Sequence, residues 1–173
     1  MKILIQNGRI IDPANQIDQL GDLQIADGLI QPTSENFEPQ QTLDATGLII
    51  SPGLIDLRAR LREPGQKHKG TIFSESRAAA AGGITMVSIP PDTKPIIDST
   101  AVVELIRQKA EQAGFVEVAP LGALTKGLEG EQLSTMGALK SAGCRAVSNA
   151  QNPIHNTQVL RRAFEYANTH DLT

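Results

Sequence analysis

Three observations predict an α/β fold in which a small β segment leads into repeated strand–helix units. Roughly the first fifty residues are short strand-like runs broken by turn dipeptides. From about Leu54 onward, strand-like and helix-like stretches alternate. The apolar runs in this second part are continuous, as in strands covered on both faces.

In the first part, the runs ILIQ, RIID, DLQI and LIQP are separated by Asn7-Gly8, Pro13-Ala14-Asn15 and Asp27-Gly28. Asn-Gly and Asp-Gly between strand-like runs predict hairpins, because both residues accept the positive φ that tight turns require. The polar stretch TSENFEPQQ reads as a surface loop. In the second part LIDLRA reads as a strand and TIFSESRAAAAGG as a helix stopped by Gly82-Gly83. ITMVSI is a buried strand. STAVVELIRQKAEQAG is a helix that places Val102, Val103, Leu105, Ile106 and Ala110 on its inner face and ends at Gly114. FVEVAPLGAL, EQLSTMGALKSAG and CRAVS read as strand, helix and strand. NTQVLRRAFEYANTH is a last helix with Val159, Leu160, Ala163, Phe164 and Ala167 inward.

Repeated βα units imply a parallel sheet with right-handed crossovers. A (β/α)8 barrel needs about 250 residues, and only about four units fit here. The expected organisation is a β segment over residues 1–52 and half of a barrel over 53–173, with HDLT at the point where a fifth strand would begin. That implies either a piece of a longer barrel protein or a half-barrel that must associate, since an open sheet edge invites pairing.

Composition narrows the function. The net charge of −3, without a basic cluster, argues against nucleic-acid binding. No apolar run reaches the ~18 residues of a membrane span, and the start lacks a signal-peptide core. With one cysteine, Cys144, there is no disulfide framework, and the chain reads as cytoplasmic. Aromatics are only 3%, so the core must be aliphatic.

The stretch PGLIDLRARLREPG carries the chemical question. Arg58 and Arg60 are two apart at a strand end, so they share a side. Metal hydrolases commonly place His-x-His there. The segments PGLIDLRARLREPGQKHKGTI, AAAAGGITMVSIPPDTKPIID, LGALTKGLEGEQL and LKSAGCRAVSNAQNPI, together with the opening NGRIIDP…DLQIADGLI, resemble the dihydroorotase family of the cyclic amidohydrolase superfamily, in order and spacing over essentially the whole chain. LREPG and ALTKGLEG favour that branch over hydantoinases and allantoinases. The resemblance implies the first half of an amidohydrolase-type TIM barrel preceded by a β-sandwich segment. The implied chemistry is zinc-assisted hydrolysis of a cyclic amide.

Residue by residue, the resemblance breaks at the metal. Arg58 and Arg60 stand at the two histidine positions, and a guanidinium has no lone pair to give. Asn149, in Ser148-Asn149-Ala150-Gln151, stands where this branch carries an acidic ligand. No catalytic residue and no metal ligand is therefore assigned. Arg62 matches the family arginine that pairs with a substrate carboxylate. Asp92 stands where the family has a substrate-binding asparagine, and its charge would repel that carboxylate by about 1–4 kcal/mol at ~4 Å. Arg62 and Asp92 thus read as a vestigial substrate site.

Three readings stay open for Arg58 and Arg60: solvated strand-end charges, occupants of the vacated metal cavity paired with acids such as Asp56, or an anion site. Arg62 and Glu63 can equally form a loop salt bridge. His68, His155 and His170 read as surface or structural residues, Cys144 as a small buried residue and Lys126 as a solvated loop charge. The glycine pair in AGGITM is too sparse for a phosphate loop.

By the resemblance, the leading expectation is a non-catalytic, dihydroorotase-like pseudoenzyme of pyrimidine biosynthesis. It would be an oligomer that supports assembly of aspartate carbamoyltransferase, without a cofactor. The alternatives are an active zinc dihydroorotase with an altered metal site and a sensor of an anionic pyrimidine precursor.

Overall fold

A computed structural model describes all of residues 1–173. The chain divides into two compact units, Met1–Pro52 and Gly53–Thr173.

The first unit is one five-stranded sheet, not two facing ones. Its strands are β1 (Lys2–Asp12), β2 (Ile17–Ala26), β3 (Leu29–Gln31), β4 (Gln41–Asp44) and β5 (Ile49–Ile50). The order is β3-β2-β1-β4, with β5 also on β1. β2 runs antiparallel to β1, whereas β4 and β5 run parallel to its two ends. Asp27-Gly28 forms the expected hairpin turn, with φ of +52° and +79°. Asn7-Gly8 does not. It lies inside β1, where Gln6 and Asn7 oppose the single residue Asp22 between the pairs Ile5–Leu23 and Gly8–Gly21. This is a β-bulge. The Asn7 amide donates to the Asp22 carboxylate at 2.9 Å. A Cβ on Gly8 would come within 2.4 Å of Ile50, so packing against β5 demands glycine there.

The second unit alternates as the sequence predicts: β6 (Leu54–Asp56), α1 (Ile72–Ala81), β7 (Ile84–Ile89), α2 (Thr100–Ala113), β8 (Glu117–Pro120), β9 (Gly122–Ala123), α3 (Met136–Ala142), β10 (Val147–Ser148) and α4 (Thr157–Thr169). β6, β7 and β8 pair in parallel and in chain order, as do β9 and β10. The single predicted strand FVEVAPLGAL is split at Leu121, whose amide donates to Ile89 at 2.9 Å. Thr71 starts α1 with a capping box shared with Ser74, and Asn156 caps α4. No helix is long and apolar enough to cross a membrane.

The core is aliphatic. Ile72, Val87, Ile89, Val103, Ile106 and Leu139 are at most 1% exposed and join α1, α2 and α3 to the strands. A smaller cluster of Leu124, Met136, Ala163, Ala167 and Leu172 seats α4. Cys144 is buried in the larger cluster, and burial pushes its thiol pKa up to about 12, so it stays protonated and inert. Two expected inward residues face water: Leu105 is 38% and Phe164 is 63% exposed. Each follows or precedes a buried neighbour, and one residue is a 100° step around a helix, enough to leave the inner stripe.

This assignment of faces predicts that Ile106→Ala costs about 3 kcal/mol of unfolding free energy in urea titrations, as for a large-to-small core change. Phe164→Ala should cost less than about 1 kcal/mol. The reverse order would contradict the packing.

Candidate functional site

Two loops at the C-terminal ends of the parallel strands build the site. The first, between β6 and α1, carries Arg58, Arg60 and Arg62. Asp56 at the end of β6 accepts the Arg58 amide at 2.9 Å, and the Ala59 amide donates to Ser88 of β7 at 2.8 Å. The chain is therefore held beside β7 past the end of its strand. Leu61 then plugs into the core at 4% exposure.

Glu63 is the anchor. Its side chain is 6% exposed, and it accepts the Ile72 amide in the first turn of α1 at 3.0 Å. Lys109 of α2 approaches it at 2.8 Å and Lys67 at 3.5 Å. Burial alone would push the Glu63 pKa up. The Lys109 hydrogen bond, the Ile72 amide, the Lys109 charge and Lys67 together overcome this and hold it below the usual glutamate range. With Glu63 and Leu61 both pinned, Arg62 between them sits at φ +65°, a left-handed conformation uncommon for a residue with a side chain.

The second loop follows β7 and carries Asp92 and Lys94. The Lys94 amide donates to the Pro64 carbonyl at 3.3 Å. Gly65 lies at φ +115°, and a Cβ there would meet Lys94 at 2.8 Å. Only glycine allows the loops to approach this closely. Between them lies a cavity of about 280 Å³ lined by Arg60, Arg62, Gln66, Asp92, Lys94 and Gln151, among others.

The sequence-predicted residues separate into three situations. Arg60 and Asp92 meet: Nη2 donates to Oδ2 at 2.6 Å, with side chains 37% and 26% exposed. The arginine thus pairs with Asp92 and not with Asp56, and Asp92 is not the bare negative charge that its place in the sequence suggests. Arg62 lines the same cavity without an ion pair, and Arg58 is exposed and unpaired. Asn149 is elsewhere employed. Its Oδ1 accepts from Thr125 Oγ1 at 2.6 Å, and its Nδ2 donates to the Asn152 carbonyl at 2.9 Å and the Leu128 carbonyl at 3.4 Å. Thr125, fully buried, also accepts the Gly130 amide at 3.0 Å. Asn149 therefore fastens the end of β10 to the loop after β9.

These residues do not fit a zinc ion. Two of the three positions carry guanidinium groups without lone pairs, and the third spends its amide on neighbouring loops. No group of three or more His, Cys, Asp or Glu side chains gathers anywhere in the chain. His68 and His155 are exposed, and His170 stacks edge-on against Tyr166 with ring centres 4.9 Å apart. Lys94, Gln66 and Lys109 are the site residues that sequence reasoning missed, and Glu63, read there as a salt-bridge partner of Arg62, pairs instead with Lys109 and Lys67. Glu63 carried a signal in its place inside LREPG and Gln66 follows in the same loop, whereas Lys94 and Lys109 join through contacts far apart in the chain.

Comparisons of sequence with known proteins agree on one family. A family profile described as Dihydro-orotase-like matches residues 47–171. A dihydroorotase-like protein of Pseudomonas aeruginosa is 49% identical over 176 residues, covering 100% of this chain and 42% of that protein. A dihydroorotase of Solibacter usitatus is 47% identical, covering 99% of this chain and 40% of the relative. The chain thus spans about two fifths of the length of these relatives. Among solved structures, the L-hydantoinase of Arthrobacter aurescens aligns with a TM-score of 0.77 at 21% identity over 98% of this chain and 39% of its own. That likeness concerns the fold alone.

The Glu63 anchor predicts that Glu63→Gln lowers stability by about 2 kcal/mol near neutral pH, because Lys109 loses its buried partner. The folded pKa of Glu63 is depressed, so its contribution is present above the ordinary glutamate range and is lost as pH falls through the folded value. Denaturant titrations of both proteins should therefore converge in acid. A gap that persists or widens there would contradict the ion pair.

Proposed function

Because the chain belongs to the dihydro-orotase-like family, we propose that it is part of a non-catalytic member, one that keeps the hydrolase scaffold and has given up the metal. The observation that carries this reading is the pairing of Arg60 with Asp92. At a position where the family resemblance expects an imidazole, a fixed cation is bound to the chain's own carboxylate. Arg58 adds a second fixed charge. Asn149 cannot turn to a metal without releasing Thr125, a fully buried residue. Activating a water for amide hydrolysis would need a cation held by lone-pair donors; the two arginines supply none, and the Asn149 Oδ1 is engaged by Thr125.

The parallel strands in chain order support reading the second unit as the first half of a (β/α)8 barrel. A scaffold without its metal keeps its value as a structural partner. We therefore assign the full-length protein to pyrimidine biosynthesis, as a cytoplasmic subunit that supports the assembly of aspartate carbamoyltransferase. An active zinc dihydroorotase is the competing reading, and it would require metal ligands other than residues 58, 60 and 149.

The test is turnover by the full-length protein. Incubated with dihydroorotate or carbamoyl aspartate, it should convert neither, and aspartate carbamoyltransferase should co-purify with it from native cells. Hydrolysis at a rate typical of enzymes, of the order of 1 per second or more, would overturn the proposal.

A further inference from the structure

Charge is divided unevenly between the two units. Residues 1–52 carry seven carboxylates against two cations, Lys2 and Arg9. Residues 53–173 carry fourteen Lys and Arg against twelve Asp and Glu. The first unit is acidic and the second mildly basic, and each exposes apolar side chains beside its own kind of charge.

On the second unit the exposed apolar feature is aromatic. Aromatics are only 3% of the chain, yet Phe73 in the first turn of α1 is 52% exposed and Phe115, just past the end of α2, is 40% exposed. Their rings stack edge to face with centroids 5.2 Å apart, and the Arg77 guanidinium lies 5.9 Å from the Phe73 centroid. Arg77 forms no salt bridge, because carboxylates on the adjoining segments are engaged: Glu63 by Lys109, Glu111 by Arg107 and Glu117 by Arg145. Glu75 accepts from Ser74 Oγ at 3.0 Å. Exposed aromatic rings beside an arginine are the composition of protein–protein contact centres.

On the first unit the feature is a stripe along β2. Asp18, Leu20 and Asp22 are two residues apart and so share one face of the sheet. Leu20 is 77% exposed, more than any other large hydrophobic residue of the chain. Arg9 of β1 stands opposite Leu20 and engages Asp18 through two hydrogen bonds of 2.7 Å. Beyond Arg9, Ile49 of β5 extends the same row at 63% exposure. Asp22 accepts the Asn7 amide through Oδ1 and forms no salt bridge. An apolar anchor flanked by carboxylate complements an aromatic pair flanked by a guanidinium.

We propose that these two surfaces meet between copies of this chain, with Leu20 of one copy on the Phe73–Phe115 pair of another and Asp22 beside Arg77. A second copy is the partner that fits, since every copy carries one of each surface. Burying Leu20 against the rings removes apolar area from water, and Arg77 gains the counter-charge it lacks. The surfaces lie on different units, so the contact is heterologous: copies add head to tail, and a closed pair needs two such contacts at once. A polyanion such as nucleic acid is disfavoured by the net charge of −3. The inference goes beyond the non-catalytic reading and holds whether or not the full-length protein turns over a substrate.

The experiment is sedimentation equilibrium of the full-length protein. The average mass should rise above that of a monomer between about 1 and about 100 μM, and it should fall back when salt is raised from about 0.05 to about 0.5 M. Arg77→Glu and Leu20→Ala should each weaken association about tenfold. Both should keep the circular dichroism of the unaltered protein, because both side chains are exposed. Mixing the two variants separates a head-to-tail contact from any other. The β2 stripe is intact in one and the aromatic pair with Arg77 in the other, so the mixture should associate more strongly than either variant alone. A monomer at about 100 μM, variants that associate like the unaltered protein, or a mixture no stronger than its components overturns the proposal. So does association that nuclease treatment abolishes.

Discussion

The site depends on one buried carboxylate. Glu63 joins the loop after β6 to the first turn of α1 through the Ile72 amide and to α2 through Lys109. Because both helices pack on the same aliphatic core, that single side chain fixes the loop to the scaffold. Its neighbours inherit the constraint. Arg62 is driven into a left-handed conformation, and Gly65 is pressed onto Lys94 so tightly that no side chain fits. A buried ion pair is weak evidence for net stability, because desolvation offsets much of its attraction. What it supplies here is geometry.

Onto that fixed frame the sequence places charge instead of lone pairs. A metal site needs donors that can be deprotonated and converge; an arginine does neither. The pairing of Arg60 with Asp92 is partly exposed, and pairs of that kind contribute little to stability. Its effect is on the site's character: a carboxylate of the chain occupies one of the two guanidinium groups that line the cavity. At another strand end, the Asn149 amide is likewise committed within the chain, as a clasp between loops.

Much of the second unit was legible because its signals are local. Continuous apolar runs, alanine-rich helices and closing glycines gave strand–helix alternation, although α3 starts at Met136, five residues after the start of the predicted segment EQLSTMGALKSAG, and FVEVAPLGAL forms two strands. Where reading failed, tertiary pairing overruled a local preference. Asn7-Gly8 has the composition of a hairpin turn, yet pairing with β2 on one side and with β4 and β5 on the other absorbs it as a bulge. Leu105 and Phe164 are apolar but lie a helical step away from the buried stripe. In the site, Arg58, Arg60 and Asn149 were visible as departures from a familiar pattern, but their partners were not. Thr125 meets Asn149, Asp92 meets Arg60 and Lys109 meets Glu63 across separations that only folding closes.

The central claim is that residues 58, 60 and 149 leave no place for a metal ion. It is tested most directly by anomalous X-ray diffraction at the zinc edge from crystals of the full-length protein grown with excess zinc. No anomalous peak is expected within coordination distance, about 2.0–2.3 Å, of any side chain at these three positions, and Arg60 should still be paired with Asp92. A zinc peak at the ends of β6 and β10, with Arg60 swung away from Asp92, would contradict it.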